Sequence, residues 1–371
     1  GVDLFGRATM HQPRSTTVQF SVDEIKRIAC QFLDVPQPSV LTVTPTEDGL
    51  SGSTTCILTH CDTGRRHVLK QLPLHLSIDH IRWTQSLAAF TRGQGYTLLP
   101  VAINRCDSSQ GSAGAAPKIA IHADGTLWQC LEYIDGNPCK TPHTRQTVIA
   151  VRALANFHKV TSAFQMPRRK ALCGWHRRVH QLRSILLSQQ FSQVENNTDA
   201  FRPTQLHALH QRFIQLIRTP KTIQIIENAL NRNLSAVHQP VLKDCWWNHV
   251  LFSDSHDRLT GIIDIDAAGW DDPAVDMSRL LGSWQLENLQ WEGKLVDIWP
   301  EAFQQYGAIA ASGVDFPSRV QHLHDTGILC GLDRWFAWIF TEKRQFPNME
   351  LVLRRITHLL HAAPAAIQRL E

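Results

Sequence analysis

The sequence predicts an α+β protein made of two lobes: a small antiparallel β-sheet lobe and, after it, a large and mainly helical lobe. Short runs of apolar and β-branched residues, separated by turn-forming residues, fill residues 40–72 and predict strands. From about residue 144 onward the apolar residues recur with helical spacing instead. Residues 241–266 are the exception, because two short apolar runs flank the turn SDSHDR and predict a β-hairpin inside the helical lobe.

The first lobe is predicted to span residues 1–134, and residues 1–20 are expected to be flexible or vector-derived. Strands are predicted at 40–46, 54–61, 66–72, 96–104 and 125–134, and helices at 22–34 and 77–92. Because only short turns join the first three strands, they are predicted to form an antiparallel meander.

The second lobe is predicted to span residues 135–371 and to consist of helices around the hairpin. Its helical segments lie at about 144–160, 171–190, 204–218, 221–236, 273–289, 293–306, 318–340 and 348–370. The segment EYIDG at 132–136 joins the two lobes.

Composition and charge restrict the class of protein. The 371 residues suit two lobes with a sizeable core, and 43% hydrophobic with 19% charged residues is typical of a folded chain. A formal charge of +4 is too small to indicate a nucleic-acid partner. Nine cysteines without a CxxC pair predict reduced thiols in the cytoplasm, and no apolar run reaches the roughly 18 residues of a membrane span.

Two carboxylates bracket the predicted hairpin. Asp244 precedes its first strand and Asp264 ends its second, so both are expected at the same edge. Paired acids there suit metal–phosphate chemistry, in which one carboxylate orients a hydroxyl and the other holds a divalent cation. The alternative is that each Asp only caps a turn. The apolar lead-in of Asp264 and a second acid, Asp266, favour the functional interpretation.

Lys70, in RHVLKQL, shares one face of its predicted strand with Val68. A charge beside an apolar core is costly unless it meets a counter-ion, and a phosphate is a natural one. The alternative is a lysine whose stem lies along the sheet rim with its ammonium in water. Between the first two strands a turn offers glycines and hydroxyls: Gly49, Ser51, Gly52 and Ser53. The backbone N–H groups of such a turn can bind phosphates, although glycine-bearing hairpin turns are common.

The order of these parts resembles that of a kinase: strand, glycine turn, strand, strand with Lys70, helix, two strands, connector, helices, then Asp244, hairpin and Asp264. Residues 240–282, PVLKDCWWNHVLFSDSHDRLTGIIDIDAAGWDDPAVDMSRLLG, resemble the pattern HGDxxxxN-V-L-F, hairpin, I-I-D-x-x-x-A, D-P-A-x-D-L. This is the pattern of the aminoglycoside phosphotransferase/choline kinase-type family of small-molecule kinases. The resemblance covers about residues 40–340 and implies a bilobal, protein kinase-like fold.

The resemblance implies a role for individual residues. Asp244 matches the catalytic Asp, Asp264 the metal-binding Asp, and Lys70 the lysine that anchors the nucleotide phosphates. Asp266 is a further acid available to the metal. Asp276, in DPAVDM, matches an acid that supports the catalytic loop.

Partners and cofactors follow from the same resemblance. Glu132 and Ile134 belong to the segment that matches the connector whose backbone meets the nucleotide base. The resemblance implies Mg²⁺ or Mn²⁺, ATP or GTP as co-substrate, and a small molecule with a hydroxyl group as acceptor. Family acceptors include aminoglycosides, choline, homoserine and sugars, and neither a nucleic acid nor a membrane is implied.

The sequence departs from the family pattern at functional positions. Leu242 stands where the family has a loop-bracing His, and His249 stands where it has a metal-binding Asn. Imidazole suits Mn²⁺ better than Mg²⁺, and Asn248, one position earlier, is the alternative ligand. The acid that pairs with Lys70 is also open, because the helix after the third strand offers only Asp79.

Other motifs have simpler interpretations. Trp246 and Trp247 are predicted to pack the loop onto the helical lobe, with stacking on a substrate as the alternative. The segment RRVHQLR at 177–183 is predicted to be a polar helix face, with holding acidic substrates as the alternative. His322 and His324, in QHLHD, are predicted to lie on a solvated helix face because no third metal ligand is near.

The sequence therefore predicts an enzyme that moves the γ-phosphoryl group of ATP or GTP to a hydroxyl of a small molecule. The alternative is a kinase-like binding module without catalysis, which Leu242 and His249 favour and the presence of Lys70, Asp244 and Asp264 opposes. A protein kinase is disfavoured, because no segment ending in Ala-Pro-Glu follows Asp264.

Overall fold

The structure, a computed structural model, describes residues 20–35, 37–46, 54–73, 76–103, 119–122, 124–166, 174–187, 204–232, 234, 237–288, 298–346 and 348–371. These residues form a β-sheet lobe followed by a larger helical lobe, as the sequence predicts. The glycine turn predicted to cover phosphates lies outside them, namely Gly49, Ser51, Gly52 and Ser53.

The small lobe is built on five antiparallel strands: β1 (Leu41–Pro45), β2 (Thr55–His60), β3 (Arg66–Gln71), β4 (Ala120–Ile121) and β5 (Leu127–Glu132). Their order in the sheet is β1-β2-β3-β5-β4, which confirms the predicted meander of the first three strands. Lys70 pairs with Thr55 of β2 on one side and Gln129 of β5 on the other. The sheet thus fixes Lys70 on a central strand.

Helix α1 (Val22–Ala29) covers this sheet. A capping box begins it, since Ser21 Oγ accepts the N–H of Glu24 at 3.3 Å and the Glu24 carboxylate accepts the N–H of Ser21 at 2.8 Å. The predicted apolar face is buried in the core of the lobe: Ile25, Ile28, Ala29 and Phe32, with Leu58, Leu69 and Trp128. The helix ends at Ala29, earlier than predicted.

The prediction of a strand at 96–104 is wrong for the described part of that segment, where only Ala102 forms a bridge, to Leu131 of β5. Pro100 has no N–H to donate to a ladder. The carbonyl oxygen of Leu98 instead accepts the N–H of Ile262 in the large lobe at 2.8 Å. The segment therefore ties β5 to the hairpin and adds no regular strand to the sheet.

Helix α2 (Ile78–Gly93) precedes this segment, and the connector after β5 leads to a short strand, β6 (Asn137–Pro138). Gly136 lies at the end of the connector with a φ of +148°. A Cβ atom there would lie 2.7 Å from the carbonyl oxygen of Phe252, closer than real Cβ contacts come. Only glycine lets the connector pass so close to the hairpin.

Helices make up most of the large lobe: α3 (Thr144–Thr161), α4 (Gly174–Leu187), α5 (Thr204–Ile217), α6 (Pro220–Leu230), α7 (Ala274–Glu287), α8 (Ile298–Gly307), α9 (Phe316–Phe336) and α10 (Met349–Leu370). A π-helical turn, Ala337–Thr341, continues α9. Their apolar faces form one extended core that also takes in the hairpin, through residues such as Val250 and Phe252.

Short strands frame the loop that contains Asp244: β7 (Gln239–Val241), β8 (Val250–Phe252), β9 (Leu259–Ile262) and β10 (Gly269–Asp271). β7 pairs with β10, and β8 pairs with β9 and with β6, all antiparallel. The predicted hairpin is confirmed, but its second strand stops at Ile262. Asp264 then adopts a left-handed conformation (φ 58°, ψ 58°), which Asp tolerates better than most residues, and a 3₁₀ turn follows.

The predicted solvated face at His322 and His324 is wrong. Both side chains are buried, because α9 packs against α4, α7 and α10 at once. Burial lowers the pKa of His324 to about 3, and its ring lies against Gly282 of α7. Within the described residues, no helix combines the length and the apolar character that crossing a bilayer requires.

Candidate active site

Lys70 of β3 lies between two carboxylates that follow β9. Its Nζ is 2.6 Å from Asp264 Oδ1 and 2.7 Å from Asp266 Oδ2. The side chains of Lys70 and Asp266 are each 15% exposed, whereas that of Asp264 is 41% exposed. Because Lys70 belongs to the small lobe and both aspartates belong to the large lobe, these ion pairs join the lobes.

The charges of this cluster shift the pKa values of its members. Burial alone would lower the pKa of Lys70, but the charges of Asp266 and Asp264 and their hydrogen bonds outweigh it and raise the pKa to about 12. Burial pushes the pKa of Asp264 upward, but the charges of Lys70 and His249 outweigh it and lower that pKa. Lys70 is therefore protonated and Asp264 ionised at neutral pH.

Asp266 is the more enclosed of the two carboxylates. Its Oδ1 accepts a hydrogen bond from Gln129 Nε2 at 3.1 Å, and its backbone oxygen lies 2.7 Å from His80 Nε2 of α2. Asp79, the acid that the sequence offered for Lys70, forms an exposed ion pair within α2 instead. The acidic partners of Lys70 thus come from the segment after β9.

His249 connects this cluster to the loop that carries Asp244. Its Nδ1 lies 2.9 Å from the carbonyl oxygen of Asp244, and its Nε2 lies 3.6 Å from Asp264 Oδ2. A carbonyl oxygen can only accept, so Nδ1 carries the proton, and in the neutral ring Nε2 presents a lone pair toward Asp264. A metal-binding imidazole has this orientation. Asn248, the alternative ligand, is exposed.

Asp276 of α7 holds the loop between β7 and β8. This fully buried carboxylate accepts the N–H groups of Leu242 and Lys243, each at 2.7 Å, and lies 2.9 Å from His158 Nε2. The supporting role predicted for Asp276 is confirmed. His158, from α3, donates Nε2–H to Asp276, and its Nδ1 lies 2.7 Å from the Tyr306 hydroxyl. A histidine from another helix thus braces a loop that has Leu242 in place of the family His.

Lys243 stands where the family pattern has glycine, and it adopts a φ of 64°. Its side chain folds back over β10, where a Cβ on Gly269 would lie 2.7 Å from Lys243 Nζ. Burial and the charge of Arg177 lower the pKa of Lys243, against the attraction of Asp271. The residue next to Asp244 is therefore a strained, half-buried cation.

Trp246 and Trp247 follow Asp244 and pack against the core of the large lobe, as predicted. The N–H of Trp247 donates to Ser283 Oγ of α7 at 3.0 Å. The face of the Trp246 ring meets Arg355, whose Cζ lies 4.2 Å from the ring centroid. This packing fixes the loop on its C-terminal side, just as Asp276 fixes it on its N-terminal side.

Glu132 and Ile134 of the connector differ in whether their backbone N–H groups already have hydrogen-bond partners. The Glu132 side chain pairs with Arg92 of α2 at 2.6 Å, and the Glu132 N–H donates to the carbonyl oxygen of Val101 at 3.1 Å. Ile134 packs against Gly261 of β9, and its N–H has no partner among the described residues. A base bound at the connector would therefore find a free backbone donor at Ile134.

A model of the phosphotransferase enzyme family, APH, matches residues 42–317, which is well over half of the chain. The protein belongs to this family. The predicted family and the kinase-like bilobal fold are both confirmed, and the family consists of phosphotransferase enzymes. No curated protein sequence matches the chain significantly.

Solved structures with this fold resemble the APH-family protein over nearly its whole length. An aminoglycoside phosphotransferase from Alicyclobacillus acidocaldarius is 16% identical, with a TM-score of 0.56, and the match covers 93% of this chain and 94% of that one. Amicoumacin kinase hAmiN, in complex with AMP-PNP, Ca²⁺ and Ami, is 12% identical, with a TM-score of 0.61 and coverages of 92% and 94%. Choline kinase from Cryptosporidium parvum Iowa II is 12% identical, with a TM-score of 0.55 and coverages of 94% and 97%.

The donor set of this APH-family protein, a carboxylate and an imidazole, fits a divalent cation that also binds phosphates. Within the described residues, no group of three or more His, Cys, Asp or Glu side chains is arranged to hold a metal alone. Mg²⁺ does not need such a cage, because it binds one or two carboxylates together with substrate phosphates and water. Asp264 and the lone pair of His249 Nε2 supply two donors on one side, which suits that mode.

Sequence reasoning missed two features of the APH-family site. His158 looked like an ordinary helix residue, although it follows buried Leu154 by one turn. Arg178 was assigned to a polar helix face, but its guanidinium is buried, so that prediction is wrong for this residue. Arg279 follows Asp276 by three residues on α7, so both lie on the same face of the helix. This spacing could have predicted an arginine near the loop that Asp276 braces.

Proposed function

We propose that the protein transfers the γ-phosphoryl group of ATP or GTP to a hydroxyl group of a small molecule. One observation carries the proposal: contacts run from Lys70 through Asp264 and His249 to the loop of Asp244. Phosphoryl transfer needs such a row of a cation, a metal-binding carboxylate and a hydroxyl-orienting carboxylate. Family membership supports the reaction class.

In this proposal Lys70 binds the α- and β-phosphates of the nucleotide. Its raised pKa keeps it charged, and its strand neighbours on both sides keep it in position. Asp266, the more enclosed carboxylate, remains its partner when the phosphates replace Asp264. The N–H of Ile134 meets the base, and the turn with Gly49 and Gly52 covers the phosphates.

Asp264 and His249 would hold a divalent cation. Such a cation would supply neutralisation of phosphate charge. Asp264 is ionised at neutral pH, as this role requires, and it is exposed enough to reach a ligand. Asp266 lies beside it as a further oxygen donor.

Asp244 orients the acceptor hydroxyl and takes its proton. The hydroxyl oxygen forms a bond to the γ-phosphorus while the bond from that phosphorus to the β–γ bridging oxygen breaks, and the nucleoside diphosphate leaves. The brace from Asp276 and the packing of Trp246 hold the Asp244 loop still, which supports a positioning role.

The test is nucleotide consumption with a panel of hydroxyl compounds, in Mg²⁺ and in Mn²⁺, followed by variants. Asp264→Asn should abolish metal-dependent turnover with the fold intact, and Lys70→Ala should weaken nucleotide binding or turnover at least about tenfold. Asp79→Asn, which removes an exposed carboxylate from the same lobe as Lys70, is the control and should change neither. Turnover of Asp264→Asn within about tenfold of wild type would overturn the assignment.

The same experiment separates an enzyme from a binding module. Leu242 and His249 depart from the family pattern, and Lys70 already has two carboxylate partners, which favours the module. A module would show a nucleotide-dependent rise in Tm and no phosphoryl transfer to any acceptor. An enzyme would show both the nucleotide-dependent rise in Tm and phosphoryl transfer, and Lys70→Ala would weaken the two together.

A further inference from the structure

Arginines from three helices of the large lobe gather behind the catalytic loop. Trp246, two residues after Asp244, has Arg355 of α10 over its ring, with Cζ 4.2 Å from the ring centroid. Arg279 of α7 lies near the same ring at 5.9 Å. Arg178 of α4 is next to Arg279, whose charge acts on it. The cluster, defined as Arg178, Arg279 and Arg355, thus lies beside Trp246, and the charge of Asp244 acts on its member Arg355.

Among the described residues, the charges of these arginines are only partly compensated. Within the described residues none of them forms an ion pair, and Nη1 of Arg178 is buried without any hydrogen-bond partner. The Arg178 guanidinium fits against Gly327 of α9, where a Cβ would lie 2.8 Å from Nη1. Burial and the charge of Arg279 lower the pKa of Arg178 to about 10, so it stays protonated at neutral pH. A buried guanidinium without a partner is costly, and Arg178 therefore adds uncompensated positive charge beside Arg279.

The acids that act on the cluster offset its charge only in part, because each of them also has another partner or role. Asp271 accepts hydrogen bonds from Arg177 and from the N–H of Gly174. Glu287 lies 3.6 Å from Lys140 Nζ, and it is the main charge that supports the protonated form of Arg355. Asp244 also acts on Arg355, but its carboxylate is needed by the acceptor hydroxyl. Counted over the described residues, the surroundings of Trp246 therefore keep an excess of positive charge.

We propose that the acceptor carries an oxyanion, a carboxylate or a phosphate, in addition to the hydroxyl that is phosphorylated, and that the arginine cluster binds this oxyanion beside Trp246. The inference rests on the proposed phosphotransferase function and narrows its substrate class. Guanidinium groups suit the task, because their planar forks match carboxylate and phosphate oxygens. Arg355 and Arg279 make the contact, and Arg178 stands behind them.

The charge pattern also disfavours the opposite class of acceptor. Two of the structural neighbours are named for aminoglycosides and for choline, which are cationic compounds. A cationic acceptor bound at Asp244 would lie in the field of Arg355, whose charge interacts with the Asp244 carboxylate, and like charges brought together in a partly desolvated site repel each other. The cluster thus selects against cationic acceptors as well as for anionic ones.

The experiment uses the whole protein with ATP, Mg²⁺ and a panel of hydroxyl compounds in three charge classes. The anionic class has two arms, hydroxy and sugar acids in one and sugar phosphates in the other; the neutral class contains sugars and polyols, and the cationic class contains amino alcohols and aminoglycosides. Phosphoryl transfer and the ligand-dependent shift in Tm are measured for each compound. We expect transfer and positive Tm shifts in the anionic class, with the better arm identifying carboxylate or phosphate.

Arg355→Ala should raise the KM of the anionic acceptor about tenfold or more, because it removes a charge-assisted contact, while the KM of ATP stays the same. Arg355→Lys should recover part of the loss, because it restores the charge. Arg354→Ala removes a charge from the adjacent, exposed position of α10 and should leave the acceptor KM unchanged. Added salt should raise the acceptor KM of wild type more than that of Arg355→Ala.

Several outcomes would overturn the inference. Transfer to cationic or neutral acceptors in preference to anionic ones would do so, while leaving the phosphotransferase function in place. A rise in the KM of ATP in Arg355→Ala, with no change in acceptor KM, would mean that the cluster serves the nucleotide. If no anionic compound is phosphorylated or shifts the Tm, the inference fails. Failure of the function itself differs, because transfer is then absent with every class.

Discussion

Lys243 holds a backbone conformation that ordinarily belongs to glycine. Its φ is 64°, and its position matches the Gly of the family pattern HGDxxxxN. A side chain in this region crowds the following carbonyl oxygen, at a cost of about 1–2 kcal/mol. Two N–H bonds from this loop to Asp276 keep the conformation in place. The strain sits directly before Asp244, the residue that we propose orients the acceptor hydroxyl.

We predict that Lys243→Gly is more stable than Lys243→Ala by about 1 kcal/mol, because glycine adopts a φ of 64° without strain. Both variants lose the ammonium equally, so the comparison isolates the backbone. Urea unfolding gives the two free energies of unfolding. An Ala variant as stable as the Gly variant would show that the loop relaxes out of the left-handed region.

His249 is the departure with the most direct chemical consequence. Because its Nδ1 donates to the Asp244 carbonyl, its Nε2 is free to bind a metal next to Asp264. We predict that wild type works better with Mn²⁺ than with Mg²⁺, and that His249→Asn keeps activity and moves the preference toward Mg²⁺. The ratio of kcat/KM in the two metals measures this. An unchanged ratio in His249→Asn would make His249 a packing residue.

The roles of residues that belong to a long, ordered motif could be predicted from the sequence. Asp244, Asp264 and Lys70 could be proposed from their order along the chain, and the supporting role of Asp276 from the same motif. Arg178 could not, because whether a helical arginine is buried depends on which helices pack against it, and here Gly327 of α9 makes the space. Tertiary contacts of this kind leave no local signal.

At the scale of elements, α3, α7 and the loop between β7 and β8 act as one unit. Asp276 on α7 accepts hydrogen bonds from two N–H groups of the loop and from Nε2–H of His158 on α3, so three elements share one buried carboxylate. A carboxylate accepts at both oxygens, whereas an amide offers one oxygen and a donating NH₂ group. Replacing it leaves at least one buried donor facing another donor.

We predict that Asp276→Asn lowers the free energy of unfolding by about 3 kcal/mol and lowers kcat more than it raises the KM of ATP, because the loop loses its position. Ser278→Ala is the control on the same helix. Among the described residues, the Ser278 hydroxyl donates to the carbonyl oxygen of Val275 alone, so its loss should cost about 1 kcal/mol or less. Equal losses of stability and of kcat in the two variants would contradict the conclusion that Asp276 holds the loop in position.

Elements with strong periodicity were predictable, and those that depend on the other lobe were not. The meander and the hairpin were found because turn residues bound their apolar runs. The strand at 96–104 was wrong, because the Leu98 carbonyl bonds to Ile262 in the large lobe. The second strand of the hairpin is shorter than predicted, because the left-handed conformation of Asp264 interrupts the strand. In both cases long-range geometry overrode a local β pattern.

For the whole molecule, the ion pairs of Lys70 join the two lobes and respond to acid. Asp264 has a lowered pKa in the folded protein, so its contribution to stability is present above its ordinary pKa of 3.8 and is lost as pH falls through the lowered value. We predict that wild type loses stability in this window more steeply than Lys70→Ala, while Lys70→Arg keeps the wild-type slope. Urea unfolding at a series of acidic pH values measures the slopes, and equal slopes would contradict the coupling.

The most direct test of phosphoryl transfer at this site is the transfer of labelled γ-phosphate from ATP to the best acceptor of the whole panel, whatever its charge, by wild type and by Asp244→Asn. An amide cannot take the hydroxyl proton, so we predict a loss of kcat of about a hundredfold or more, with Mg²⁺–ATP binding and Tm unchanged. Wild type that binds Mg²⁺–ATP but transfers no phosphate, or Asp244→Asn that transfers it at the wild-type rate, would contradict the account.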